Sequence, residues 1–125
     1  MFDHVEFPVG DIAESRRFYM PALNELGIEE FFFDEAQGDA GFGRGGVTGL
    51  LIFKGELGPR RMHICFSAAS RAQVDAAHAA ALANGGRDNG GPGYRENYAP
   101  GYYAAFVFDP DGNNIEFIFR HPAKT

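Results

Sequence analysis

The chain has no tryptophan, a single cysteine, and only eleven Lys+Arg against seventeen Asp+Glu in 125 residues. Each shortage excludes something. Cys65 alone cannot close an intramolecular disulfide, and it rules out zinc sites built from clustered thiolates. A net charge of −6 offers no cationic field to neutralise phosphates, so neither nucleic acid nor a membrane is an expected partner. No apolar run reaches membrane-spanning length, and the N-terminal MFDHVEFPVGD lacks the basic and apolar regions of a leader. The expectation is a soluble, cytoplasmic protein. Its length suits one domain, 1–125, and 45 % apolar with 22 % charged residues suits a compact core.

Seventeen glycines and thirteen phenylalanines are what the chain has in plenty. They imply strands and turns around an aromatic core. Phe2 to Val9 reads as a strand with Phe2, His4, Glu6 and Pro8 on one face. Asp11, with Glu14 three residues on, marks a helix start. That helix ends at Gly27, and Pro21 inside it predicts a kink or a restarted turn. Ile28–Phe33, Ala40–Arg44 and Val47–Phe53 read as strands. Arg61–Ser67 is the next, with His63, Cys65 and Ser67 on one face, and an alanine-rich helix over Ser70–Asn84 closes at Gly85. Arg87–Pro100, polar and rich in glycine, reads as a long loop holding at most one poor strand. Tyr102–Phe108 and Asn114–Arg120, joined by DPDGN, complete the chain.

This order is a βαβββ unit used twice, module one over about 1–55 and module two over about 60–121. His4 and His63 fall in the first strand of each half, Gly27 and Gly85 close the two helices, and VTGLLIF aligned on NNIEFIF sets Leu50 opposite Glu116. Two imidazoles and a carboxylate suit a divalent first-row metal and leave coordination positions open for substrate. His4, His63 and Glu116 would converge if the halves formed one curved sheet. Spacing equally admits an exposed strand histidine, a satisfied interior histidine and a surface carboxylate.

HVEFPVGDIAESRRFY with the following LNELG, the strand MHICFS, and GYYAAFVFDPDGNNIEFIF together resemble the vicinal oxygen chelate superfamily, which includes glyoxalase I, extradiol dioxygenases and the fosfomycin- and bleomycin-resistance proteins. The resemblance covers nearly the whole chain, and DPDGNxxE is its most specific part. It implies an α+β fold of two βαβββ modules in a curved mixed sheet around a cleft. It also implies a homodimer, in some members with each cleft built from both chains. By resemblance His4, His63 and Glu116 occupy metal-ligand positions, for iron, manganese, zinc, nickel or cobalt.

Departures narrow the chemistry. The fourth ligand of glyoxalase I, usually Glu, corresponds to Leu50 or Leu51, and a hydrocarbon neither ligates nor abstracts a proton. The tyrosine that extradiol dioxygenases place before the turn is Phe106 here. Lys54, Arg60, Arg61, Arg87 and Arg95 could serve an anionic substrate, although none stands in a recognisable signature.

Gly41 to Gly46 satisfies GxGxxG but precedes a strand, whereas dinucleotide binding needs it to open a helix, so a hairpin or a close strand approach is the better account. Tyr102 shares a face with Ala104 and Phe106, so Tyr102, Tyr98 and Phe106 are candidate substrate contacts. Tyr102 and Glu6 are the candidates for proton transfer. Cys65 is expected as a small core residue, His78 and His121 as solvated or structural, and Phe31–Phe33, Phe117 and Phe119 as core and interface. The leading function is a metal-dependent enzyme acting on a small oxygenated substrate, with lyase or isomerase, dioxygenase and thiol transferase chemistries open. The alternative is a metal-free protein that sequesters an aromatic or drug-like ligand, as bleomycin-resistance proteins do.

Overall fold

Module one is β1 (Val5–Val9), α1 (Ile12–Asn24), β2 (Glu29–Asp34), β3 (Asp39–Arg44) and β4 (Val47–Lys54). Module two is β5 (His63–Ser67), α2 (Arg71–Ala83), β6 (Arg87–Tyr94), β7 (Tyr102–Phe108) and β8 (Asn114–Arg120). These come from a computed structural model that describes residues 1–121. The eight strands form two sheets of four, ordered β1-β4-β3-β2 and β5-β8-β7-β6. In both, the first strand runs parallel to the last and the others pair antiparallel. The duplication read from the sequence is therefore the architecture.

Local chemistry explains the element ends. Asp11 Oδ1 accepts from the Glu14 amide at 3.0 Å, and Ser70 Oγ accepts from the Gln73 amide at 3.2 Å, so each helix has a side-chain N-cap. α1 runs through Pro21 as one helix and does not restart there. Phe18, Tyr19, Ala22 and Leu23 on either side of the proline are all buried, and that packing outweighs one missing backbone bond. The GxGxxG segment is a hairpin: Arg44 pairs with Val47 across Gly45 and Gly46, whose φ values of 59° and 78° are those of a two-residue type I′ turn.

Two other expectations change. The first strand begins at Val5, so His4 lies just outside it. The one poor strand allowed within Arg87–Pro100 is eight residues long, Arg87–Tyr94 on the edge of the second sheet, and takes up most of the expected loop. Its pairing to β7 is irregular, with register shifts around Gly90.

One apolar core joins the modules. Phe7 and Val9 from β1, Phe42 from β3, Ile52 from β4, Val107 from β7, and Ile115 and Phe117 from β8 belong to a single cluster with the buried faces of both helices. α1 and α2 pack on one another, and Ala22, Ala77 and Ala81 permit the approach. Full burial of each large side chain contributes about 1.5–3 kcal/mol. Polar ties reinforce the joint. The Tyr19 hydroxyl donates to buried Asp109, Asp111 accepts from the Gly10 amide at 3.2 Å, and Arg44 Nη2 donates to the carbonyls of Leu26 and Ser67. Both sheets thus turn one face to the shared core and leave the other bare.

Candidate functional site

The bare face of the second sheet gathers most of the reactive side chains. Parallel register sets Cys65 beside Glu116 and His63 beside Asn114, while antiparallel register sets Phe106 beside Glu116 and Tyr102 beside Arg120. Strand alternation then aims His63, Cys65, Glu116, Phe106, Tyr102 and Arg120 away from the core, opposite Ile115, Phe117, Ala105 and Val107. Cys65 is accordingly on the exposed face rather than in the core, a correction to the sequence reading. A step of two along β5 from His63 reaches it, so it must share the histidine's face.

Glu116 is the centre of this face and only 3 % exposed. His63 Nε2 lies 3.0 Å from its Oε1, and the Tyr102 hydroxyl donates to its Oε2. The other imidazole nitrogen of His63, Nδ1, lies 3.0 Å from the Asn114 carbonyl oxygen. Loss of water around Tyr102, then its bond to the Glu116 carboxylate, pushes the phenol well above its ordinary range. Crowding by protein around the Cys65 sulfur, followed by the same carboxylate, pushes that thiol up to about 12, which keeps it protonated and a poor nucleophile at neutral pH. Tyr98 packs edge-on against Tyr102 at 5.2 Å, on the exposed rim, and the His63 ring stacks on Phe106 at 6.3 Å.

Module one presents a different face. β1 and β4 pair Glu6 with Leu51 and Val5 with Leu50, so Leu51 holds the place that Glu116 holds in module two. The alignment of Leu50 with Glu116 is corrected by one residue. Leu50 belongs to the core, 5 % exposed, because a one-residue slip on a strand exchanges its faces. Glu6 is exposed on β1. Phe32 and Phe53, each 39 % exposed, flank Leu51 on this bare face. His4 is exposed too, its Nδ1 2.7 Å from Asp3 Oδ1, and that bond raises its pKa.

The structure therefore brings His63, Glu116, Tyr102 and Phe106 together, puts Tyr98 at their edge, and leaves His4 and Glu6 on the other sheet. Among the described residues no three His, Cys, Asp or Glu side chains of one chain are placed to hold a metal ion. Sequence reasoning missed Arg120, whose guanidinium lies 4.8 Å from the Tyr102 ring, and the role of Arg95, 5.5 Å from the Phe106 ring. The available signal was Arg120's even spacing from Glu116 on one strand. His78 is structural: 6 % exposed, its Nε2 lies 3.0 Å from Asp88 Oδ1, while His121 is exposed beside Tyr94.

Comparison with known proteins identifies the family and the fold. The family model for the Glyoxalase/Bleomycin resistance protein/Dioxygenase superfamily matches residues 1–117. Among solved structures, a glyoxalase/bleomycin resistance protein from Albidiferax ferrireducens T118 is 32 % identical with a TM-score of 0.80, over 94 % of this chain and 98 % of that one. A glyoxalase-related enzyme from Fulvimarina pelagi is 19 % identical with a TM-score of 0.71, over 95 % and 87 % of the two chains. A lactoylglutathione lyase from Agrobacterium tumefaciens is 20 % identical with a TM-score of 0.67, over 94 % and 92 %. The last two share the fold. No curated protein matches the chain, and among the described residues no helix is long and apolar enough to cross a membrane.

Proposed function

The chain belongs to the Glyoxalase/Bleomycin resistance protein/Dioxygenase superfamily, and on that premise we propose that it is a metal-dependent enzyme acting on a small oxygenated substrate. The supporting observation is the His63–Glu116 pair. With Nδ1 directed at the Asn114 carbonyl, the proton of a neutral imidazole belongs on Nδ1, and Nε2 turns a lone pair toward the Glu116 carboxylate 3.0 Å away. Two lone pairs so placed call for a cation between them, either the second proton of an imidazolium or a metal ion. The donor set fits a divalent first-row ion such as iron, manganese, zinc, nickel or cobalt.

His63 and Glu116 would hold such an ion together with His4, and because His4 sits on the other sheet, a second copy of the chain would supply it. The bare face of the first sheet, with Phe32, Leu51 and Phe53, is apolar enough to seat against a homodimer partner. When bound, the metal supplies Lewis-acid stabilisation of negative charge on adjacent substrate oxygens.

The chain's own residues do the rest. Tyr102 fixes the orientation of Glu116 through Oε2 and offers a phenol at the substrate position, with a proton it gives up only to a strong base. Phe106 supplies an apolar wall against the imidazole, and Tyr98 a stacking edge. Glu6, carried in with His4, is the carboxylate available for proton transfer. Leu51, standing where Glu116 has its counterpart, can neither ligate nor take a proton, which disfavours chemistry that needs a fourth, carboxylate ligand.

Protein purified without chelators is expected to load one metal per site. His63→Ala and Glu116→Gln should each lose it, with Tyr98→Ala as a folded control. Metal content that is substoichiometric, cannot be reloaded and ignores His63→Ala would overturn the enzyme reading in favour of ligand sequestration.

A further inference from the structure

On the face it shares with Glu116, β6 carries side chains at its start, where Arg87 lies over Phe108 and Asn89 donates to Asn114, and then glycines. Gly90 pairs with Phe106 and Gly93 with Ala104, so a Cβ at either position would project from that face. The space is taken by Arg95. A Cβ at Gly93 would stand 3.1 Å from Arg95 Nη1, and one at Gly90 would stand 3.3 Å from Nη2. The half-buried guanidinium folds back along its own strand, with Nη2 donating to the Gly91 carbonyl at 2.8 Å and the planar group 5.5 Å from the centre of the Phe106 ring. On that same Phe106 ring stacks His63. One phenylalanine therefore separates a fixed guanidinium from the His63–Glu116 pair.

This guanidinium is satisfied on one donor and lacks an anion. Among the described residues, the arginine ion pair is Arg16 with Glu30, and no carboxylate lies within ion-pair distance of Arg95. Guanidinium carries five N–H donors, and one bond to Gly91 leaves most of the fork unused. A fork held flat by glycines and an aromatic ring is already organised for two-point contact with an oxyanion.

We propose that Arg95 is the substrate-anchoring residue of the site, and that the substrate carries an oxyanion (a carboxylate, phosphate or phosphonate) bound across Phe106 from its metal-directed oxygens. This rests on the enzyme reading above and names its substrate class. Gly90 and Gly93 are the residues that let Arg95 lie in the site, and Phe106 is the floor between the two binding points.

The test is an equilibrium titration of inorganic phosphate, malonate and neutral 1,3-propanediol into metal-free and metal-loaded protein at low salt. Wild type should bind phosphate or malonate, whichever matches its geometry, in both forms, and the diol in neither metal-free form nor in competition with the anion. Arg95→Gln should weaken anion binding by about tenfold or more, the loss of a charged hydrogen-bond pair. Gly93→Ala, which keeps the charge but crowds the guanidinium, should weaken it as well, whereas Arg17→Gln on the exposed face of α1 should not. Equal affinity in wild type and Arg95→Gln overturns the proposal, as does an absence of anion binding by both forms of wild type. So does dissociation of the assembly by Arg95→Gln with anion affinity unchanged, which would give the guanidinium to the subunit interface. Metal loading is read separately: failure of the metal reading leaves anion binding by the metal-free protein intact, and failure of the anchor leaves metal loading intact.

Discussion

Asp109 shows how much one side chain can hold. It is 2 % exposed, and it accepts from the Tyr19 hydroxyl, the amides of Asp111 and Asn113, and the Asn113 side chain. A buried carboxylate is tolerable only with such a set of donors. The donors come from both modules, so Asp109 sets the β7–β8 turn and pins α1 to it. Asp109→Ala strands several buried donors and is expected to cost about 3 kcal/mol or more in urea unfolding, whereas Tyr19→Phe, which leaves Asp109 its other partners, should cost about 1–2 kcal/mol. An Asp109→Ala protein as stable as wild type would refute this account. DPDGN was conspicuous in the sequence as a turn, but its burial was not, since nothing local tells that a tyrosine ninety positions earlier will close over it. His63 was legible because the repeat sets it opposite His4, and Glu116 because it follows the DPDGN turn in the last strand. Arg95 was only one cation among several, because its place depends on how Gly90 and Gly93 pair with β7, which is not a local property.

At the scale of elements, the glycines divide by what they face. A Cβ on Gly43 would lie 1.8 Å from the Val47 carbonyl oxygen, inside the β3–β4 hairpin at a register shift. A Cβ on Gly41 would lie 2.3 Å from the edge of the Phe32 ring. Backbone cannot yield without breaking the hairpin, whereas an exposed ring can rotate. Gly43→Ala is therefore expected to cost about 3 kcal/mol and Gly41→Ala about 1 kcal/mol, read from urea midpoints; equal costs would show that the hairpin gives way easily. The sequence disclosed that this glycine run was a hairpin, because turn chemistry is local. It showed β6 only as one poor strand within a longer loop, for the opposite reason. Asn89, Gly90, Gly91, Pro92 and Gly93 have the propensities of a loop, and only the neighbouring β7 makes them a strand. The helix that runs on through Pro21 has the same origin, since tertiary packing on both sides overrides the local rule.

The whole molecule poses a question of closure. Its single core joins the covered faces of both sheets and both helices, so the bare faces point away from that core. His4 and Glu6 belong to one bare face, and His63, Glu116, Tyr102 and Arg95 to the other. If a two-fold partner lays its first sheet against this chain's second, both sites of the pair are completed at once, because a two-fold contact is reciprocal. This arrangement makes a quantitative prediction that no single-chain site can imitate. His4→Ala and His63→Ala proteins, each unable to load metal alone, are mixed in equal amounts and allowed to exchange subunits. About half the dimers become mixed, and each mixed dimer carries one site with both lesions and one with neither, so metal per chain should recover to about a quarter of the wild-type value. Were His4 to serve a site in its own chain, every site in the mixture would keep one lesion and no metal would return. The recovery must also vanish when one variant carries both substitutions, since no intact combination then remains.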